Sequence, residues 1–106
     1  MKFSAIRTFA LALPEVTQLP HHHFGSFRVC GKIFATFPPD EAFLHVFVPE
    51  EQREQALVLY PTVADKLLWG GKVVGLKLTL AHASPVEIKL LVRQAWQAKA
   101  PKALLR

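Results

Sequence analysis

Apolar side chains recur along this chain with two different periods, and the switch between them divides it into elements. Phe3, Ile6, Phe9, Ala10 and Leu13 fall three or four positions apart, which puts them on one side of a helix over residues 3–13 that Pro14 ends. Residues 14–25, "PEVTQLPHHHFG", hold neither period and carry Pro20 and Gly25, so an irregular approach is expected. "SFRVC" and "KIFATF" then alternate around Gly31, which tolerates the positive φ of a tight hairpin turn. Phe27 and Val29 take one face, while Ser26, Arg28 and Cys30 take the other. Beyond the turn, Ile33, Ala35 and Phe37 are read as opposing Lys32, Phe34 and Thr36. After Pro38, Pro39 and Asp40, "AFLHVFV" is apolar on both faces, as a central strand would be.

The second half repeats the alternation of periods. "PEEQREQALVLY" predicts a helix with Pro49 at or near its first turn, Glu50 and Glu51 where the helix dipole favours negative charge, and Pro61 as the stop. A short strand around residues 66–69 precedes Gly70 and Gly71, which turn the chain into "KVVGLKLTL". There Val74, Leu76, Leu78 and Leu80 share one face, with Val73, Gly75, Lys77 and Thr79 on the other. "SPVE" carries the clearest helix start, with Ser84 as N-cap, Pro85 at the first helical position and Glu87 completing a capping box. Behind it Ile88, Leu91, Val92, Ala95 and Trp96 form one stripe. The predicted order is helix, three strands, helix, two strands, helix: an α+β domain with its helices packed on one sheet face.

Composition narrows the class. The 106 residues suit a single domain, 1–106, and 51% apolar against 20% charged residues marks it as globular rather than disordered. No apolar run approaches the roughly 20 residues that a membrane-spanning helix needs. The opening "MKFSAIRTFALALPEV" has the outline of a secretory leader, but Arg7 interrupts the apolar run and no small-x-small cleavage site follows, so a helix of a cytoplasmic protein is expected. The net charge of +5 is uneven. From Lys66 onward eight basic residues face Glu87 alone, a net +7, which leaves −2 for the first 65 residues. Such a basic segment suits phosphates or an acidic protein.

The candidate chemistry is sparse. In an extended approach His21 and His23 would share a face and His22 would take the other; two imidazoles, even with His45 nearby, fall short of the three or four ligands of a zinc site. Cys30 is the only cysteine, and beside a hairpin glycine it reads as a small turn residue. No nucleophile elbow, phosphate loop or acid-base-nucleophile set is present. No metal, no cofactor and no catalytic residue is therefore expected.

A binding surface is more legible. With the helices on the apolar face, the other face would present Arg28, Lys32, Phe34, Thr36 and Lys77, cations beside a ring that suit a nucleic-acid backbone and a stacked base. Lys72 and the tail residues Lys102 and Arg106 add charge, whereas Lys99 is accounted for by the helix dipole. The expected function is a monomeric, non-enzymatic module that binds nucleic acid, DNA in duplex form, through phosphates at Arg28, Lys32, Lys72, Lys77 and Lys102, with Phe34 available to stack. The alternative is a protein-interaction or chaperone-like module using the sheet face or an exposed edge.

Taken together, "ALALPEVTQLPHHHFGSFRVCGKIFATF", "WGGKVVGLKL" and "AWQAKAPKALL" resemble the MmcQ/YjbR-like family of small bacterial proteins over nearly the whole chain. The resemblance implies the same element order. It also implies a DNA-binding label, because the family fold looks like the double-wing domain of a phage transcription activator. The same order occurs in type III secretion chaperones, which bind proteins. This chain departs from the family pattern in its three histidines and in Trp69, which precedes the glycines where a tryptophan often starts the last strand.

Overall fold

The helix start written most clearly in the sequence forms as expected. In the computed structural model, which describes residues 1–105, the Ser84 hydroxyl accepts from the Glu87 amide and the Glu87 carboxylate accepts from the Ser84 amide. The helix that follows, α3 (Pro85–Lys99), buries Ile88, Leu91, Val92, Ala95 and Trp96. The first helix, α1 (Phe3–Ala12), buries Phe3, Ile6 and Ala10. The two are tied by the Trp96 indole, which donates to the Pro14 carbonyl at 3.0 Å. Helix α2 (Glu50–Leu59) has Pro49 in the N-cap position with no side-chain cap bond, carries Glu50 and Glu51 in its first turn and buries only Ala56.

Six antiparallel strands form one sheet: β1 (Val16–His21), β2 (Phe24–Val29), β3 (Lys32–Phe37), β4 (Phe43–Val46), β5 (Ala64–Trp69) and β6 (Lys72–Thr79), in the order β1-β2-β3-β4-β6-β5. The apolar "AFLHVFV" segment supplies β4, which is flanked on both sides as its composition implied. Cys30 and Gly31 (φ 49° and 83°), like Gly70 and Gly71 (58° and 81°), have the paired positive φ of the two-residue turn whose twist matches its strands. Every pairing but one joins strands adjacent in sequence; β4 and β6 are separated by α2 and β5.

Residues 16–21, expected to be irregular, are a sixth strand. They pair with β2 from Val16↔Val29 to His21↔Phe24. Their composition hides this because no residue of β1 is fully buried, so no alternation is imposed. Pro20 is tolerated because an edge strand bonds on one side only. The three histidines therefore do not share an extended run. His21 ends β1, while His22 (φ 58°) and His23 make the turn into β2.

Phe34 is a second correction: expected on the solvent face, it is fully buried, its ring centroid 6.5 Å from that of Phe27. The two-residue turn at Cys30-Gly31 fixes the register Val29↔Lys32 and Arg28↔Ile33, which puts positions 32 and 34 on the face of Val29 and Phe27. Continued strictly, that register would turn Thr36 inward and Phe37 outward. Instead the ladder skips Phe34, so that Ala35 pairs with Phe27 and Phe37 with Gly25. A single bulge residue thus lets Phe34, Ala35 and Phe37 all enter the core. The Phe37 ring occupies the space where any side chain at position 25 would begin, and Phe3 of α1 packs on it at 4.5 Å between centroids.

One continuous core joins these strand residues to Leu44, Val46, Leu76 and Leu78 and to the buried faces of all three helices. The helices therefore cover one face of the sheet. The other face carries none. No helix among the described residues is long and apolar enough to cross a membrane.

Phe34→Ala and Trp96→Ala should each cost about 3–5 kcal/mol of unfolding free energy in a denaturant titration. A loss under about 1 kcal/mol at Phe34 would return that ring to the surface and remove the bulge argument.

Candidate nucleic-acid interface

Cross-strand pairing lines up one residue from each strand on the helix-free face: Leu19, Ser26, Thr36, His45, Lys77 and Asp65, in sheet order. The small members form a floor. Ser26 and Thr36 are buried although no helix covers them. Ser26 donates its hydroxyl proton to the Leu19 carbonyl at 2.7 Å, and the Thr36 hydroxyl lies 3.3 Å from His45 Nδ1. Larger side chains rise around this floor, among them Phe24, whose ring lies 5.9 Å from that of His45.

Two cations flank the floor and both are held in place. Arg28 on β2 donates through Nε to the Ser26 hydroxyl (3.1 Å) and through Nη2 to the Pro20 carbonyl (3.2 Å). That uses two of the five N–H donors of a guanidinium. Lys77 on β6 places its ammonium 3.9 Å from the centroid of the Phe43 ring, a cation–π contact. The only ion pair among the described residues joins Arg7 to Glu41. Arg28 therefore has no carboxylate in direct contact, and Lys77 leans on the Phe43 ring without contacting Asp65, its cross-strand neighbour. Two ordered cations on one face, with donors to spare, suit an anionic ligand better than mobile surface lysines do.

The face deepens into a cavity of about 320 Å³ lined by His21, Ile33, Thr36, Phe47, Trp69, Val74 and Lys99. Phe47 and Trp69 stand 5.3 Å apart between ring centroids, and Trp69 is 48% exposed. Ile33 reaches this cavity because the register at the β2–β3 turn pairs it with Arg28.

The six residues read from the sequence as nucleic-acid contacts do not assemble into one patch. Arg28 and Lys77 share the helix-free face. Lys72 stands at the β5–β6 turn opposite Trp69, on the rim of the same face. Lys32 pairs with Val29 and is exposed on the helix side, while Phe34 is in the core. Lys102 is exposed in a short 3-10 turn after α3. Arg106 lies outside the described residues. The basic C-terminal segment is also divided, since Lys89 and Arg93 lie 5.8 and 5.9 Å from the ring of Phe9 on α1, in the helical layer.

Sequence reasoning missed Phe24, Phe47, Trp69 and Lys99. Phe47 and Trp69 are the last or next residues of strands whose ends no period marks. Lys99, explained by the dipole of α3, lines the sheet-face cavity as well. Among the described residues no three histidine, cysteine or carboxylate side chains converge as metal ligands. The rings of His21 and His22 lie 4.7 Å apart, and Cys30 is exposed at its turn.

His45 sits in the middle of the polar row and is shifted. Burial, and secondarily the nearby Lys77 ammonium, hold its imidazole pKa below the ordinary value. At neutral pH it is therefore an uncharged hydrogen-bonding partner for Thr36, not a third cation.

The family model described as YjbR matches residues 11–98. No curated protein and no solved structure matches the chain.

Because the folded state binds the His45 proton less readily than the unfolded chain, unfolding takes up a proton in acid. The contribution of this site is fully present above the unfolded value of about 6.5 and is lost as pH falls below it toward the lower folded value. The thermal midpoint should fall between about pH 7.5 and about pH 5, and less so in His45→Gln, which keeps a polar partner for Thr36. Equal acid sensitivity in the two proteins would show that the imidazole is not the group responsible.

Proposed function

The chain belongs to the YjbR family, and from that membership together with the face just described we propose that it is a non-enzymatic module that binds nucleic acid across the helix-free side of its sheet. The observation that supports this reading most is the pairing of two pinned cations, Arg28 and Lys77, neither of them in an ion pair, with accessible rings on the same surface. Phosphates attract the cations and release counterions on binding. Phe24 and Trp69 offer faces to bases.

Charge alone suggested a duplex, but the rings favour single strands, whose unstacked bases are free to use them. A sheet as platform also fits the geometry. Strands lie about 4.8 Å apart, so side chains two strands apart can address neighbouring parts of one extended backbone. In this reading Lys72 and Lys99 extend the cationic track along the rim, and Ser26, Thr36 and His45 supply uncharged hydrogen-bonding groups at its floor. Nothing in this role calls for a cofactor, and the module acts as a cytoplasmic DNA-binding monomer.

A protein partner is the second reading, supported by one separate observation. Val58 and Leu59 on the outer side of α2 are 78% and 64% exposed, a larger apolar display than a lone surface residue gives. The sheet edges support it less, because Pro20 in β1 and the charged Asp65 and Lys66 in β5 both discourage strand addition.

Binding to mixed-sequence single-stranded DNA should weaken with salt. With four phosphate contacts, log affinity should fall against log salt with a slope of roughly −3. Arg28→Gln combined with Lys77→Gln should flatten that slope by roughly 1.4 and weaken all sequences alike. Trp69→Ala should cost about 1–3 kcal/mol while leaving the slope in place. Absence of binding to single strands even at about 50 mM salt overturns the reading and leaves the α2 surface as the interaction site.

A further inference from the structure

Beside the aromatic cavity lies a second one of about 250 Å³, and the two share Phe47, Val74 and Lys99 as common walls. Its distinguishing residue is Arg53 of α2. The Arg53 guanidinium donates through Nη1 to the Val48 carbonyl at 3.2 Å. Its Nε is shut away from solvent with no hydrogen-bond partner, so a ligand in the cavity would meet the remaining Nη N–H groups and not Nε. A buried N–H without an acceptor is rare in folded proteins, and on a permanently charged group it is especially unfavourable. No carboxylate answers it: Glu50 and Glu51, one turn before it, are exposed, and among the described residues neither is paired with Arg53 or with Lys99.

Arg53 and Lys99 come from different elements, α2 and the last turn of α3, and converge on one small cavity without a counter-charge. Placing two cations together is unfavourable unless an anion separates them. A guanidinium with spare donors beside an ammonium matches the oxygens of a phosphate. The adjoining cavity offers a slot beside Phe47 and Trp69 that suits a flat ring. A ligand that fills both must carry a planar ring and an anion within a few bonds of each other.

We infer that the joined cavities form a pocket for a nucleoside 5′-phosphate, with the phosphate on Arg53 and Lys99 and the base beside Phe47 and Trp69. The choice of a nucleobase as the ring rests on the nucleic-acid reading above; the anion cavity does not. The same chemistry comes from two sources, the 5′-phosphorylated end of a strand or a free mononucleotide. On a strand, the pocket would fix one end while Arg28 and Lys77 hold the backbone that follows, giving the surface a polarity that the sheet-face cations alone lack.

The test compares a thymidylate tetramer with a 5′-phosphate, the same tetramer with a 5′-hydroxyl, and thymidine 5′-monophosphate. Quenching of the exposed Trp69 follows each titration. The phosphorylated tetramer should bind about tenfold more tightly than the hydroxyl form, as expected for charge-assisted hydrogen bonds to one added anion. Arg53→Gln should remove that preference and leave the weaker, salt-dependent binding of both tetramers, whereas Lys99→Gln, which also takes a rim cation from the strand track, should remove the preference while weakening both tetramers. The half-exposed Lys99 decides the matter if Arg53→Gln lowers the thermal midpoint. Equal affinity for the two tetramers overturns the pocket while leaving the strand reading standing. Binding of the monophosphate as tightly as the phosphorylated tetramer supports the pocket and assigns it to free nucleotides. No response to any of the three overturns the pocket and the strand reading together.

Discussion

The register conflict in the second hairpin is the constraint on which the surface depends. A two-residue turn at Cys30-Gly31 commits positions 32 and 34 to the inner face, whereas the apolar pattern later in β3 needs 35 and 37 there. One unpaired residue reconciles the two demands. It gives the core three contributions from a six-residue strand and turns Thr36 to the opposite face to meet His45 on β4. Had the ladder run without the skip, Phe37 would have faced solvent, Phe3 would have lost its closest ring partner, and the polar row across the helix-free face would have been broken at its centre.

Much of the architecture was legible because helix and strand periods differ and because caps and turns carry their own chemistry. The capping box at Ser84, the stripe ending in Trp96, the glycine turns and the central position of β4 all follow from local rules. The failures have a common physical origin. β1 escaped notice because an edge strand with no fully buried residue has no period to show, and its proline is harmless there. Phe34 was misplaced because alternation was carried across the turn from the wrong side: turn length, not the pattern of β3 alone, sets which parity points inward.

The candidate surface was less legible than the fold, for a reason that charge counting conceals. A net +7 over the last 41 residues is a property of the linear chain, and antiparallel strands and a crossing helix distribute it over opposite sides of the molecule. Lys89 and Arg93 end up against Phe9 in the helical layer, while Lys77 and Lys99 reach the sheet face from different elements. Arg28 and Lys77 were identifiable because strict alternation held around them. Arg53 was not, because only packing brings its guanidinium to the wall of a cavity beside Lys99.

The strand order has a kinetic meaning as well. Most of the sheet is built from neighbours in sequence, so β1 to β4 can assemble as successive hairpins and β5–β6 as another. Joining them requires Val46 to find Leu76 across about thirty residues of chain, and closing a loop of that length costs roughly 2 kcal/mol of chain entropy beyond closing the shortest loops. That one non-local seam, where Leu44 meets Leu78 and Val46 meets Leu76, unites two locally folded halves. The rate at which the whole domain becomes native is then governed less by its turns than by how often the halves meet in register.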